Sequence, residues 1–294
     1  MPVSTAAELI AYCEEQHCAI SRAARLMEAE RSGQTVAEIE EHMRRSLGVM
    51  RNSFIEPLSE SRPSEYRMIG GEGRLLKEHF LAGRSILGPL FSKIVYRSMA
   101  VLEQNAAMGL IVAAPTAGSS GVLPGALFSL QEEFSLPEES LLNGLFCAGA
   151  VGQLLMRNGS VSGAEAGCQA EVGAAAAMTA AAACEMFGGG PRACLDAAAL
   201  AITNLLGLVC DPVAGLVQCP CQTRNALGAA NGVICAEMTL AGMRSFLPFD
   251  EMVTALYDVG RRLPAELRET ALGGCAATPT GKAWKQRIFD DESK

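Results

Sequence analysis

The chain has 294 residues, a net charge of -8 and a pI near 5.1, and these values argue against a nucleic-acid or anionic-membrane partner, since both need clustered Lys and Arg. Its five lysines form no run, and with 49% hydrophobic residues it can bury a large core without crosslinks. Eleven cysteines, an odd number with no secretory start before them, predict a reducing, cytoplasmic setting in which most are buried core thiols and a few are ligands or nucleophiles.

Residues 1–62 read as an N-terminal arm of charged, amphipathic helices, with capping boxes at Thr5/Glu8 and Thr35/Glu38. A loop follows at 61–74 (SRPSEYRMIGGEGR), where Pro63 and three glycines interrupt any helical period; residues 63–74 are its glycine-containing stretch, a boundary or a lid. Beyond Leu75 the pattern is helix after helix, with starts at Ser135/Glu138 and Asp250 and a stop and restart at Gly188-Gly189-Gly190-Pro191.

Residues 104–130 carry no charge over a membrane-spanning length, but the centre, from Pro115 to Gly125, is polar and turn-rich. Two buried helices joined by a loop are expected there, not a membrane span. Residues 164–187 (AEAGCQAEVGAAAAMTAAAACEMF) read as an Ala/Gly-rich helix at the centre of a bundle, with the apolar stretch 197–210 packed beside it. Strand signals are scarce. The expected fold is all-α: one helical-bundle-like catalytic domain over residues 1–294, with cysteine-bearing loops around a central Ala/Gly-rich helix.

Cys168, Cys210 and Cys221 stand apart from the other eight cysteines, because each lies at an element end among glycine, proline or acidic residues where backbone can wrap a cofactor. On residue type alone, three buried small hydrophobes are the simpler expectation. No C-x2-C zinc pair exists, and Cys219-Pro220-Cys221 is too tight for one. Lys93, Lys282, Lys285 and Lys294 lack a pyridoxal-phosphate context, and the run to Lys282 fails as a phosphate loop because Ala276 stands where its first glycine belongs. Cys275, after Gly273-Gly274, is a further reactive-thiol candidate, with a core role the simpler expectation.

The segments APTAGSSGVLPG, GAEAGCQAEVG and CDPVAGLVQCPCQTRNALGAANG closely resemble, in order, those of the alpha chain of iron-sulfur-dependent L-serine dehydratases. The resemblance runs from about residue 70 to residue 282, and the spacings match, with 42 residues from Cys168 to Cys210 and 11 from Cys210 to Cys221.

It implies that these three thiolates hold a [4Fe-4S] cluster whose fourth iron is open and acts as a Lewis acid on the hydroxyl of L-serine, giving pyruvate and ammonia. It also makes the 114–125 loop the holder of the substrate carboxylate through Thr116, Ser119 and Ser120, with Arg224 and Asn225 assisting. Cys219 departs from the family pattern as a possible competing ligand, and the tail, residues 290–294, has no terminal cysteine.

The base that removes the α-proton is not evident. His79 and Lys77, which follow the glycine loop, are candidates, whereas His17 and His42 lie on charged helix faces. Nothing resembles the family's histidine-bearing beta portion, so a separate beta subunit is expected. Two other readings stand beside this one: a β-eliminating lyase acting on cysteine with the same cluster, and a non-catalytic helical scaffold whose cysteines are structural.

Overall fold

The computed structural model describes residues 3–289. The expectations about the tail at 290–294 lie outside the described residues. Thirteen α-helices account for the architecture, and among the described residues no strand forms, the sole β-type pairing being an isolated bridge between Cys210 and Arg268. The helices are α1 (Ala6–Glu15), α2 (Ile20–Ser32), α3 (Val36–Ser59), α4 (Glu72–Leu81), α5 (Gly88–Ala106), α6 (Val122–Glu133), α7 (Glu138–Asn158), α8 (Gly163–Ala166), α9 (Ala174–Met186), α10 (Pro191–Thr203), α11 (Cys221–Leu240), α12 (Phe249–Arg262) and α13 (Pro279–Phe289).

Helix α9 is the axis of the bundle. Every residue from Ala174 to Cys184 is buried, so it has no polar face to turn outward and is enclosed by α6, α7, α10 and α11. Its alanines keep those neighbours close. On α11, a Cβ at Gly232 would lie 2.9 Å from Thr179 Cβ and 3.0 Å from the Ala176 carbonyl oxygen, so this crossing requires glycine. Around this axis Leu123, Leu127, Leu141, Leu155, Ile202 and Met252 are fully buried, each contributing about 1.5–3 kcal/mol.

The N-terminal helices join the same core through Leu9, Ile20, Leu47 and Phe54. Both predicted capping boxes form. Arg25 is nearly buried; it pairs with Glu40 at 2.7 Å, donates to Asn143 at 2.8 Å and lies 4.1 Å over the Phe146 ring, which fixes α2 between α3 and α7.

Several local expectations need correction. Residues 164–187 are not one helix: α8 ends at Ala166, Gly167 turns at φ +77°, and a π-turn at Gln169–Gly173 precedes α9. Helix α7 starts with Pro137 as its N-cap, while Ser135 sits at φ +51°. The Asp250 carboxylate accepts from the Ala6 and Ala7 N–H groups, so it serves the start of α1 as well as the first turn of its own helix. The glycine loop ends at Gly71, because Glu72, Gly73 and Arg74 are already helical. Nor does that loop stand free, since Tyr66 and Met68 pack on Val213, Ala214 and Ile288. Residues 104–130 do form two helical ends and a loop, and no helix among the described residues is long and apolar enough to cross a membrane.

Candidate functional site: three buried thiols beside a hydroxyl loop

Breaks in helical structure place each of the three cysteines. Cys168 follows the left-handed Gly167, where a Cβ would come within 2.7 Å of Leu263 and 2.9 Å of the Leu208 carbonyl. The π-turn after it is pinned by Gln169, whose amide donates to the Leu256 carbonyl at 2.7 Å while its side-chain oxygen accepts from Gly207 N–H at 2.7 Å. Cys210 is clasped at both backbone atoms, its N–H donating to Leu267 and its carbonyl accepting from Glu269. The excursion from it turns through Ala214 and Gly215, both at positive φ, and Cys221 opens α11.

All three thiols are buried and near enough for charge on Cys168 to raise the pKa of Cys210 and of Cys221. Burial, then the Glu171 carboxylate, pushes Cys168 up to about 11, and burial pushes the other two higher still. Such thiols give up their protons only to a cation that replaces them.

Three buried thiols from separate elements are donors of the kind an iron-sulfur cluster takes, one thiolate per iron. At Gly163 the backbone leaves no space for a side chain, since a Cβ there would meet Cys210 Sγ at 2.9 Å. Cys219, next to this set in sequence, is exposed.

Glu171 was not singled out in the sequence, yet it joins the parts. It is carried on the π-turn; its Oε1 accepts from Thr116 Oγ1 at 2.8 Å and its Oε2 from the Cys210 thiol at 3.6 Å. Burial raises its pKa against those two hydrogen bonds. The one signal in the sequence was its place between Gly167 and Gly173, three residues after Cys168. Asp211 was also given no role: it pairs with Arg224 at 2.9 Å and accepts from Cys275 N–H at 2.6 Å.

The hydroxyl loop lies against Glu171, with a Gly118 Cβ position 3.2 Å from Oε1. Thr116 Oγ1 is 3.2 Å from Ser119 Oγ, and Ser120 donates to the Ala117 carbonyl at 2.8 Å. Asn225 is wholly buried beneath the loop; its amide donates to the Gly118 and Cys221 carbonyls, and its oxygen accepts from Gly121 N–H. It therefore locks the loop to the start of α11. Arg224 donates to the Val209 carbonyl at 2.7 Å and pairs with Asp211, and its positive charge works against the rise in the Cys168 pKa.

Lys77 and His79 lie on α4, whose N-terminus approaches the site: Gln222 donates to Glu72 at 3.3 Å and to Glu103 at 2.9 Å. His79 is exposed in the last turn of that helix, and Lys77 is half-buried.

Fold and site together define an all-α protein with three buried thiols set around a carboxylate and a hydroxyl loop. The chain belongs to the serine dehydratase alpha chain family, whose model matches residues 15–276. It is 45% identical to the probable L-serine dehydratase, alpha chain, of Bacillus subtilis (strain 168), over 96% of this chain and 94% of that protein. It is 42% identical to the L-serine dehydratase, alpha chain, of Peptoniphilus asaccharolyticus, over 95% and 96% respectively. With L-serine dehydratase 2 of Escherichia coli (strain K12) the identity is 35%, over 94% of this chain and 61% of that longer protein.

Proposed function

We propose that this chain is the alpha subunit of an iron-sulfur L-serine dehydratase, a lyase that converts L-serine to pyruvate and ammonia as one cytoplasmic catalytic domain. The observation that carries the reading is the meeting of Cys168, Cys210 and Cys221, from three separate breaks in the helices, next to Glu171 and the Thr116 loop in a chain of this family.

Held by these three cysteines, a [4Fe-4S] cluster supplies an iron without a protein thiolate, a Lewis acid for a leaving hydroxyl. The remaining work belongs to side chains. The 114–125 loop holds the substrate carboxylate, with Thr116 anchored through its hydroxyl to Glu171 while Ser119, Ser120 and Asn225 keep the loop in shape. Arg224 sets a positive charge beside Cys168 and fixes Asp211. Glu171 orients the Thr116 hydroxyl, and its bond from the Cys210 S–H would be given up as that thiol loses its proton to hold iron.

Lys77 and His79 stay the in-chain base candidates, but we assign removal of the α-proton to a separate beta chain, because His79 points to solvent. The Bacillus subtilis and Peptoniphilus asaccharolyticus relatives, each named an alpha chain, support a separate beta chain.

The test is a Mössbauer spectrum of the anaerobically reconstituted chain with its beta partner, with and without L-serine, together with 2-oxo acid formation from L-serine, L-threonine and L-cysteine. One iron of the cluster altered by serine, and pyruvate from serine, is the expected result. Iron that never assembles would favour a scaffold role, and pyruvate from cysteine alone would move the substrate to a thiol.

A further inference from the structure

Away from the site just described, the cysteines are not scattered. Cys147 on α7, Cys184 on α9 and Cys194 in the first turn of α10 are wholly buried and lie together between these helices. There Cys184 lies near enough to Cys194 for charge on Cys194 to raise its pKa. The sulfurs of Cys147 and Cys194 and a carboxylate oxygen of Glu185 lie within 4.8 Å of one another. Cys13, on α1, is close enough for Glu185 to raise its pKa.

We propose that Cys147, Cys194 and Glu185 form a second metal site, for a soft divalent cation of the Zn2+ type, separate from the three-thiol site.

Ligand type and geometry both support this. Two thiolates with a carboxylate are a donor set that suits Zn2+, and three protein ligands leave a tetrahedral ion one more position. The carboxylate is aimed by partners outside the triad: both Glu185 oxygens accept from Ser21 N–H, at 3.3 and 3.2 Å, in the first turn of α2. Glu185 is half-buried, whereas both sulfurs are fully buried. The turn from α9 into α10 is built tightly around these sulfurs, with Cys194 donating to the Gly189 carbonyl at 3.4 Å and no space for a side chain at Gly189 beside Cys184. An ion here ties α7, α9 and α10 together and, through Glu185, fixes the start of α2. Binding exchanges the two thiol protons for the cation, so both protons go to solvent.

The test uses the full chain with Cys168, Cys210 and Cys221 replaced by Ser, purified without oxygen and titrated with Co2+ alone as the probe. The expected result is one bound ion with sulfur-to-cobalt charge-transfer absorption and tetrahedral d–d bands. Cys147→Ser and Cys194→Ser should each weaken Co2+ binding by more than about tenfold, the loss that even an outer partner of a ligand can cause. No sulfur-to-cobalt band in the parent, or a band unaffected by both substitutions together, overturns the proposal. If a serine variant fails to fold, the parent decides: Zn2+ should raise its unfolding midpoint and release protons, and an unchanged midpoint overturns the proposal.

Discussion

Thr116 donates its hydroxyl hydrogen to Glu171 at 2.8 Å, which couples the loop before α6 to the π-turn that follows Cys168. The same carboxylate reaches the Cys210 thiol, so one acidic side chain touches both the proposed substrate holder and a proposed cluster ligand. An α-helix through Gln169–Gly173 would turn the Glu171 side chain to a different bearing; the wider π-turn sets it toward Thr116 and Cys210.

Glu171→Gln keeps the size of the side chain but removes its charge. The expected outcome is a loss of about 10–100-fold in kcat/KM for L-serine, the range typical of a group that orients ligands, with iron and sulfide content unchanged. Pyruvate formation by the anaerobically assembled two-chain enzyme, with iron analysis of the same sample, checks it. Full activity would remove Glu171 from the site.

Cys168→Ala, Cys210→Ala and Cys221→Ala should each abolish assembly of a stable four-iron cluster, whereas Cys219→Ala should leave it intact, because Cys219 is exposed beside the buried set. Iron and acid-labile sulfide counts after anaerobic reconstitution read this directly. A fatal Cys219→Ala with a harmless Cys221→Ala would reassign the ligand. Exposure of the loaded chain to air should cost activity that ferrous iron and thiol restore, as an iron without a protein thiolate is the first to be lost.

Local rules made much of this legible. Thr5/Glu8 and Thr35/Glu38 announce their helices because a capping box is complete within four residues, and the Gly188–Pro191 stop works the same way. The composition of residues 174–184 showed that α9 is central, because a helix with no polar face has to be enclosed. What stayed hidden depends on long-range closure. The Gly167 turn and the π-turn interrupt an Ala/Gly run that favours helix at every position, and only packing against Leu208 and Leu263 selects them. Glu171 and Asp211 acquire partners 55 and 64 residues away in sequence, and no local pattern marks such pairs. The Asp250 caps on α1 arise from the other end of the chain.

Asn225→Ala should destabilise the folded chain by about 2–4 kcal/mol, because it strands the Gly118 carbonyl and the Gly121 N–H away from water. Urea unfolding, with an unchanged m-value, measures it. Gly121→Ala should cost about 1–3 kcal/mol by a different route, since its Cβ would overlap the Ser98 carbonyl oxygen. A loss for Asn225→Ala no greater than that of an exposed alanine substitution would mean that the loop holds its shape without this bridge.

Glu103 ties the start of α4 to α11, and it does so as a buried acid. Its Oε1 accepts from Gly73 N–H at 2.7 Å and from Gln222 at 2.9 Å, and its neighbour Glu72 accepts from Gly70 N–H. Burial raises the Glu103 pKa above its ordinary 4.5, against the pull of the Gly73 amide, and the charge on Glu72 raises it further. The folded state therefore holds this proton more tightly than the unfolded chain does. The sign follows: as pH rises from about 4.5, unfolding releases a proton that the folded state still binds, so this group's contribution falls until pH passes the raised folded pKa. Glu103→Gln keeps an oxygen for the Gly73 N–H and has no proton to lose. Its stability should thus decline less than that of the parent across this window, and the difference between the two should grow with pH and then level off. Urea midpoints measured at steps from pH 4.5 to 8 give the comparison. Parallel curves for parent and variant would mean that Glu103 is ionised in the folded chain and that Gln222 and the Gly73 amide outweigh its burial.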